Sequence, residues 1–128
     1  VDDGGHGDGE LDQPCGVTVH DGEVFVADTW NHRISVFSLA DGTWLRSFGG
    51  RGTAPGQFTY PCGVTIAHGG RLYVTERTGK RVQVLTRDGN VLQVLSAPCG
   101  GWLYGVCADD ERLWVASSSS NEVHLFTT

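Results

Sequence analysis

The chain has 128 residues, including 19 glycines, four cysteines and no methionine, and carries a formal net charge of −6 at pH 7. Its length suits one domain, and its acidity argues against non-specific binding to nucleic-acid phosphates. No apolar run reaches the roughly 18 to 20 residues of a membrane span, the start does not resemble a secretory leader, and no stretch sustains helical periodicity; the expectation is a soluble all-β chain with no membrane partner.

In chain order, residues 4–13 form a glycine-rich lead that imitates the later connector 49–60. Four strand candidates follow. The first, Val17 to Val19, is short and apolar, as expected for burial on both faces. The second is Val24 to Ala27. The third, Arg33 to Phe37, alternates polar and apolar residues in the manner of a strand with one packed face. The fourth, Trp44 to Phe48, follows the tight-turn pair Asp41-Gly42.

The same grammar then recurs. Pro61-Cys62-Gly63-Val64-Thr65-Ile66 repeats Pro14-Cys15-Gly16-Val17-Thr18-Val19 at an offset of 47 residues. Strands are expected again at Leu72 to Thr75, Arg81 to Leu85 and, after Asp88-Gly89, Val91 to Leu95. A divergent third copy supplies Val106 to Ala108, Leu113 to Ala116 and Glu122 to Phe126. Short strands with a period in the 40s indicate radial or solenoid repetition, and a four-stranded antiparallel unit is one blade of a β-propeller. The expected partial propeller spans 1–128, with blades at 14–48, 61–95 and 103–126, the last without an outer strand.

One residue pair recurs where the second strand turns into the third. Asp28 and Arg33 flank the turn in the first copy, Glu76 and Arg81 in the second, and both partners change together to Ser117 and Glu122 in the third. Joint replacement is what an architectural carboxylate–guanidinium pair should show, because a lone charge at a partly buried turn is costly.

Asn31-His32-Arg33-Ile34-Ser35-Val36-Phe37, preceded by Val26-Ala27-Asp28 and Pro14-Cys15-Gly16-Val17, resembles an NHL repeat, with Arg33 at the leucine position of that family's Asn-His-Leu motif. The resemblance covers nearly the whole chain, strongly in two copies and weakly in the third, where Ser117-Ser118-Ser119-Ser120 replaces the charged turn. It implies a β-propeller, usually of six blades, serving as a binding platform. Some members bind RNA.

Both ends read as cuts through a longer array, because no fourth strand precedes residue 4 or follows residue 126. Three blades do not close a ring of the usual four to eight, so the faces of the first and third are expected to be covered by further blades, by a second copy in a homodimer, or by a partner.

Charge is segregated along the sequence. Residues 46 to 87 hold Arg46, Arg51, Arg71, Arg77, Lys80, Arg81 and Arg87 against Glu76, whereas both flanks are acidic. This reads either as solvated turns that differ between blades or as a basic face for an acidic protein segment or a nucleic-acid backbone. RNA is not favoured, because the aromatics fall mostly within strands rather than between basic residues.

Cys15 and Cys62 share a repeat position, and neighbouring inner strands are expected to diverge too far for a disulfide. With no Cys-x-x-Cys pair, the four cysteines are expected to be reduced and near the core, which fits an intracellular, cytoplasmic protein. His20 and His68 lie in equivalent turns, and propeller lyases of the peptide-amidating kind resemble NHL proteins and hold zinc by channel histidines. The neighbours Asp21-Gly22 and Gly69-Gly70 instead indicate exposed turn chemistry, so no metal and no cofactor are expected.

Trp44 and Trp114 are expected to pack within strands. Trp30 and Trp102, in turn and connector, are candidates for exposure where aromatic anchors carry interface energy. The expectation is a non-catalytic interaction scaffold binding a protein partner through Trp30, His32, Arg77, Lys80 and Trp102, with a metal-dependent propeller lyase or hydrolase, or an RNA platform, as alternatives.

Overall fold

Tight reversals set the architecture. The computed structural model describes residues 5–67, 69–78, 80–97, 102–109, 111–117 and 121–127. Asp21 and Gly22 both take positive φ, 54° and 77°, the twist that a two-residue hairpin between right-handed strands requires. They join β1 (Val17–His20) to β2 (Glu23–Asp28). A single 3-10 turn, Thr29–Asn31, then leads through His32 at φ 51° into β3 (Arg33–Ser38). Lys80 and Asn121, at the same point of the next two repeats, share that left-handed conformation (φ 54° and 55°).

β4 (Trp44–Gly49) completes the first sheet in the order β1-β2-β3-β4. The second sheet repeats it with β5 (Pro61–Ile66), β6 (Leu72–Glu76), β7 (Arg81–Leu85) and β8 (Val91–Ser96). The third contains β9 (Leu103–Ala108), β10 (Arg112–Ser117) and β11 (Glu122–Thr127). Every pairing within the three sheets is antiparallel.

The sheets stack face to face in chain order. Between the first and second lies a layer of Phe25, Ile34 and Val36 against Leu72, Val74 and Leu85, plugged by Phe58 from the connector. Between the second and third, Tyr73, Val82 and Val84 meet Leu103, Leu113 and Val115. β6 and β7 of the second sheet are therefore buried on both faces, one set of alternate residues going to each core, while β8 at the rim stays largely exposed. Each fully buried large apolar side chain contributes ~1.5–3 kcal/mol, so these shared layers, not the sheets singly, hold the array together.

Position in the stack decides how a repeated strand is buried. β5 is buried along its first four residues, whereas Val17 and Val19 of β1 are exposed although the strand was expected to be covered on both faces. Trp44 and Trp114, expected to be packed, are also exposed on the outward faces of the first and third sheets. Their sequence pattern is that of a buried blade, but no described residue covers them.

The cysteine expectation is corrected as well. Cys15 and Cys62 form a disulfide, with Cα atoms 5.2 Å apart, inside the range a disulfide spans. The inner strands converge at this height instead of diverging, because Gly16 lets the Cys62 carbonyl close over it. Cys107 is a free, exposed thiol on β9, and Cys99 lies outside the described residues. The disulfide removes the basis on which an intracellular compartment was expected. Among the described residues no helix is long and apolar enough to cross a membrane.

Candidate loop-face site

The turns between second and third strands and the connectors between sheets all emerge at one end of the stack. Two carboxylates organise that end. Asp28, fully buried, accepts the Asp12 N–H at 2.8 Å, the Asn31 amide at 2.9 Å and Arg33 Nε at 2.9 Å. Arg33 turns its remaining donors onto the carbonyls of His6, Gly7 and Glu10. In the second blade Glu76 accepts the Thr59 N–H, Gln83 Nε2 and Arg81 Nε, while Arg81 donates to the carbonyls of Thr53, Ala54 and Gln57. The acceptors shift by the same 47 residues as the repeat itself. Each acid–arginine pair thus clamps the connector that precedes its own blade, satisfying carbonyls that have no strand partner. In the third blade Ser117 and Glu122 face each other across β10 and β11 in register; residues 118–120 lie outside the described chain.

On this clamped frame an aromatic row crosses all three sheets. Trp30, exposed in the first turn, makes a T-shaped contact with Tyr60, ring centres 6.5 Å apart. His32 lies 4.5 Å from the same ring, and its Nδ1 accepts the Tyr60 N–H at 3.0 Å. Burial, and secondarily the Arg51 charge, push the His32 pKa below the ordinary histidine value. Both effects keep Nδ1 free as an acceptor.

Arg77 occupies the repeat position of Thr29, directly after the clamp carboxylate. Its N–H donates to the Tyr60 carbonyl and its own carbonyl accepts the Leu103 N–H, so its backbone ties two connectors together. Its guanidinium sits over three rings: Tyr60 at 5.3 Å, Trp102 at 5.1 Å and Tyr104 at 5.9 Å. Such contacts are worth ~0.5–2 kcal/mol, the larger value when the cation is desolvated. Among the described residues no carboxylate pairs with Arg77, and its Nε is buried without a hydrogen-bond partner. Lys80 and Arg51 are exposed on the same face.

The structure therefore brings Trp30, His32, Arg77 and Trp102 into one row and leaves Lys80 beside it. Sequence reasoning missed Tyr60 and Tyr104, the rings that join the row. Tyr104 stands where the first two copies have Cys15 and Cys62, and that substitution was the available signal.

The basic stretch does not form one face. Arg46 and Arg87 lie at the opposite end of the stack, where Arg46 grips Glu23 through two bonds of 2.6 and 3.0 Å and donates to the Arg87 carbonyl. That hydrogen bond holds the Glu23 carboxyl below its ordinary pKa. Asp21 and Asp88 complete a polar cleft there with Arg87, so the cations of this end have local partners.

The described histidines are dispersed: His6 bonds Asn31, His20 ends β1, His32 faces Tyr60, and His124 lies on β11; His68 is outside the described residues. Among the described residues no group of three or more metal-binding side chains gathers.

The profile of the NHL repeat matches residues 11–37. The chain is 31% identical to Protein brain tumor of Drosophila melanogaster over 123 residues, which is 93% of this chain and 12% of that protein. It is 34% identical to NHL repeat-containing protein 3 of Homo sapiens over 83 residues, 62% of this chain and 24% of that protein. The chain thus spans no more than a quarter of either relative. Among solved structures, the computationally designed Ika4 protein superimposes with a TM-score of 0.69 at 10% identity, covering 91% of this chain and 66% of that one. A streptogramin B lyase structure gives 0.65 at 16% identity, covering 92% and 46%. At such identities the likeness concerns the fold alone. The matched repeat, its relatives and three stacked antiparallel sheets agree: the chain belongs to the NHL-repeat family of β-propeller proteins.

Proposed function

We propose that the chain is a non-enzymatic interaction scaffold that binds an acidic protein segment across its loop face, with its apolar end faces covered by further blades or by a second copy. The observation that carries this reading is Arg77. A guanidinium held over three rings, with no carboxylate partner among the described residues, is a positioned and uncompensated cation. Arg51 and Lys80 extend the positive potential, and exposed Trp30 and Trp102 supply apolar anchors on either side.

Protein is favoured over RNA because the rings are engaged with one another and with Arg77. Tyr60 is engaged in T-shaped contacts with Trp30 and His32 and has Arg77 over its face, so it is a poor stacking platform for a base.

The test is selection of peptides from a displayed random library, followed by anisotropy measurements on the enriched sequences. The expected winners carry Asp or Glu next to apolar residues. Their affinity should fall at least about tenfold in Arg77→Ala and Trp30→Ala, consistent with anchor residues worth ~1–2 kcal/mol or more, and stay unchanged in Arg87→Ala at the opposite end. Binding indifferent to Arg77, or oligonucleotides bound more tightly than any peptide, would overturn the proposal. Stoichiometric zinc retained through dialysis would favour a metal-dependent enzyme instead.

A further inference from the structure

Tyr60 ends the second connector with φ at 53°, in the left-handed region. For residues other than glycine, asparagine and aspartate this conformation is costly, because Cβ crowds the following carbonyl oxygen. The repeat accounts for the backbone but not for the side chain. Gln13, at the same place 47 residues earlier and likewise followed by proline, takes φ 51° and carries no ring. The entry to an inner strand therefore calls for a left-handed step, which glycine or asparagine would supply with less strain. A bulky aromatic residue held there answers a demand other than folding, and such outliers gather at ligand clamps.

The contacts of the ring show what that demand is. The turn of the first sheet brings Trp30 and His32 to it, and the turn of the second brings the Arg77 guanidinium over it at 5.3 Å. Its backbone is tied to the same two turns. The Tyr60 N–H donates to His32 Nδ1, and the Tyr60 carbonyl accepts the Arg77 N–H at 2.8 Å. One residue thus links an exposed tryptophan to a cation that has no carboxylate partner among the described residues.

The next connector repeats the device. Trp102 stands three residues before Gly105, as Tyr60 stands three before Gly63, and its ring lies 5.1 Å from the same guanidinium. Two connector-end rings therefore share one arginine. An arginine already fixed on rings has given up much of its rotamer freedom before a ligand arrives, so less is lost when a carboxylate binds.

We propose that Tyr60 is a positioning residue of the loop-face site: its ring fixes the Arg77 guanidinium for the carboxylate of an acidic peptide and couples it to Trp30, and the aromatic side chain is kept at this left-handed position for binding, not for folding. This rests on the scaffold reading and names the residue on which its selectivity for acid depends.

Three variants separate the roles. Tyr60→Asn removes the ring and suits the left-handed backbone, Tyr60→Gln installs the residue of the first copy, and Tyr60→Trp that of the third. Thermal midpoints of the Asn and Gln variants should match or exceed that of the natural chain. The probes are the tightest-binding acidic peptide from the displayed library and its twin with the acid replaced by the amide. On the natural chain the twin should bind at least about tenfold more weakly, and in Tyr60→Asn that ratio should shrink to about threefold or less, because ring and carboxylate act through the same guanidinium. Tyr60→Trp should restore it. Without any peptide, modification of Arg77 by phenylglyoxal, followed by mass mapping, should run about threefold or more faster in the Asn and Gln variants, with Arg87 unchanged.

Full acid selectivity in Tyr60→Asn, or Arg77 rates equal to those of the natural chain, would overturn the role of Tyr60 and leave the scaffold reading standing. Midpoints lowered in both polar variants would also overturn it, because the ring would then serve the fold. A natural chain that binds no acidic peptide would instead remove the scaffold reading, and with it the ligand assigned here.

Discussion

The carbonyl oxygen of Tyr104 in β9 closes over Gly63 in β5, nearer than any side chain on residue 63 would allow. Thr75 completes the contact: its hydroxyl accepts the Gly63 N–H at 2.9 Å and donates to that same carbonyl at 2.6 Å. Two inner strands are thereby joined through one threonine, where a ladder bond would not reach.

Gly63→Ala should therefore destabilise the fold although φ at this residue is not positive. The added Cβ would collide with the Tyr104 carbonyl and lie 2.8 Å from Thr75 Oγ1, forcing the strands apart. Overpacking of this kind costs ~1–3 kcal/mol, read as a lower midpoint in thermal or urea unfolding. Gly16→Ala, against the Cys62 carbonyl, should behave alike. A wild-type midpoint in both would mean that the strands do not approach this closely.

The Cys15–Cys62 disulfide closes a loop of 47 residues, which in the chain-entropy account is worth about 4 kcal/mol. Peptide mapping without reductant should recover the two cysteines in one linked species. Replacing both with serine should lower the unfolding free energy by ~2–4 kcal/mol, and adding reductant to the natural chain should reproduce part of that loss. Separate peptides under oxidising conditions would contradict the structure at this point.

The blade grammar is legible in the sequence because it is local. Asp21-Gly22, Asp41-Gly42 and Asp88-Gly89 mark reversals by their backbone chemistry, and alternation in Arg81 to Leu85 reports a strand whatever surrounds it. What depends on neighbours is not legible. Val17 and Val64 are the same residue at the same repeat position, yet one is exposed and the other buried, because only position in the stack separates them. The disulfide was missed for a related reason: whether inner strands converge is set by Gly16 and its facing carbonyl, a relation between blades. The row around Arg77 was half visible. Trp30, Arg77 and Trp102 stand out as turn and connector residues, whereas Tyr60 and Tyr104 gain meaning only once two connectors meet.

His32 gives the fold a pH dependence of definite sign. Burial places its folded pKa below 6.5, so between that lowered value and about 6.5 the unfolded chain binds more protons than the folded one. Stability from this residue is complete above about 6.5 and is lost as pH falls through the window, when protonation would also remove the acceptor of the Tyr60 N–H. Glu23, held low by its hydrogen bond to Arg46, keeps its stabilisation at every pH above about 4.5 and loses it only as pH falls below that, in a separate acid window. Thermal midpoints of the natural chain should decline between pH 7.5 and 5.5 more steeply than those of His32→Asn, which tolerates the left-handed conformation and does not titrate. Equal slopes would remove His32 as the cause.

Glu76 and Arg81 offer the sharpest energetic test of the connector clamp. The Glu76 carboxylate is fully buried and accepts from Thr59, Gln83 and Arg81, so Glu76→Ala would strand three donors and leave a guanidinium without its counter-charge. Breaking a buried pair by removing one partner costs ~3–5 kcal/mol. Glu76→Gln should cost less than Glu76→Ala only by the acceptor it keeps for the Thr59 N–H, because its NH2 replaces the oxygen that accepts from both Arg81 Nε and Gln83 Nε2. Arg81→Met would keep the carboxylate's other two donors but free the carbonyls of Thr53, Ala54 and Gln57, so its effect should fall on the connector. Hydrogen exchange should show residues 53–59 losing protection in Arg81→Met before the strands do. In a double-mutant cycle with Glu76→Gln, the two losses should overlap by ~0.5–3 kcal/mol. Strict additivity would mean that the pair is adjacent without being coupled, and that the connector is held by its backbone alone.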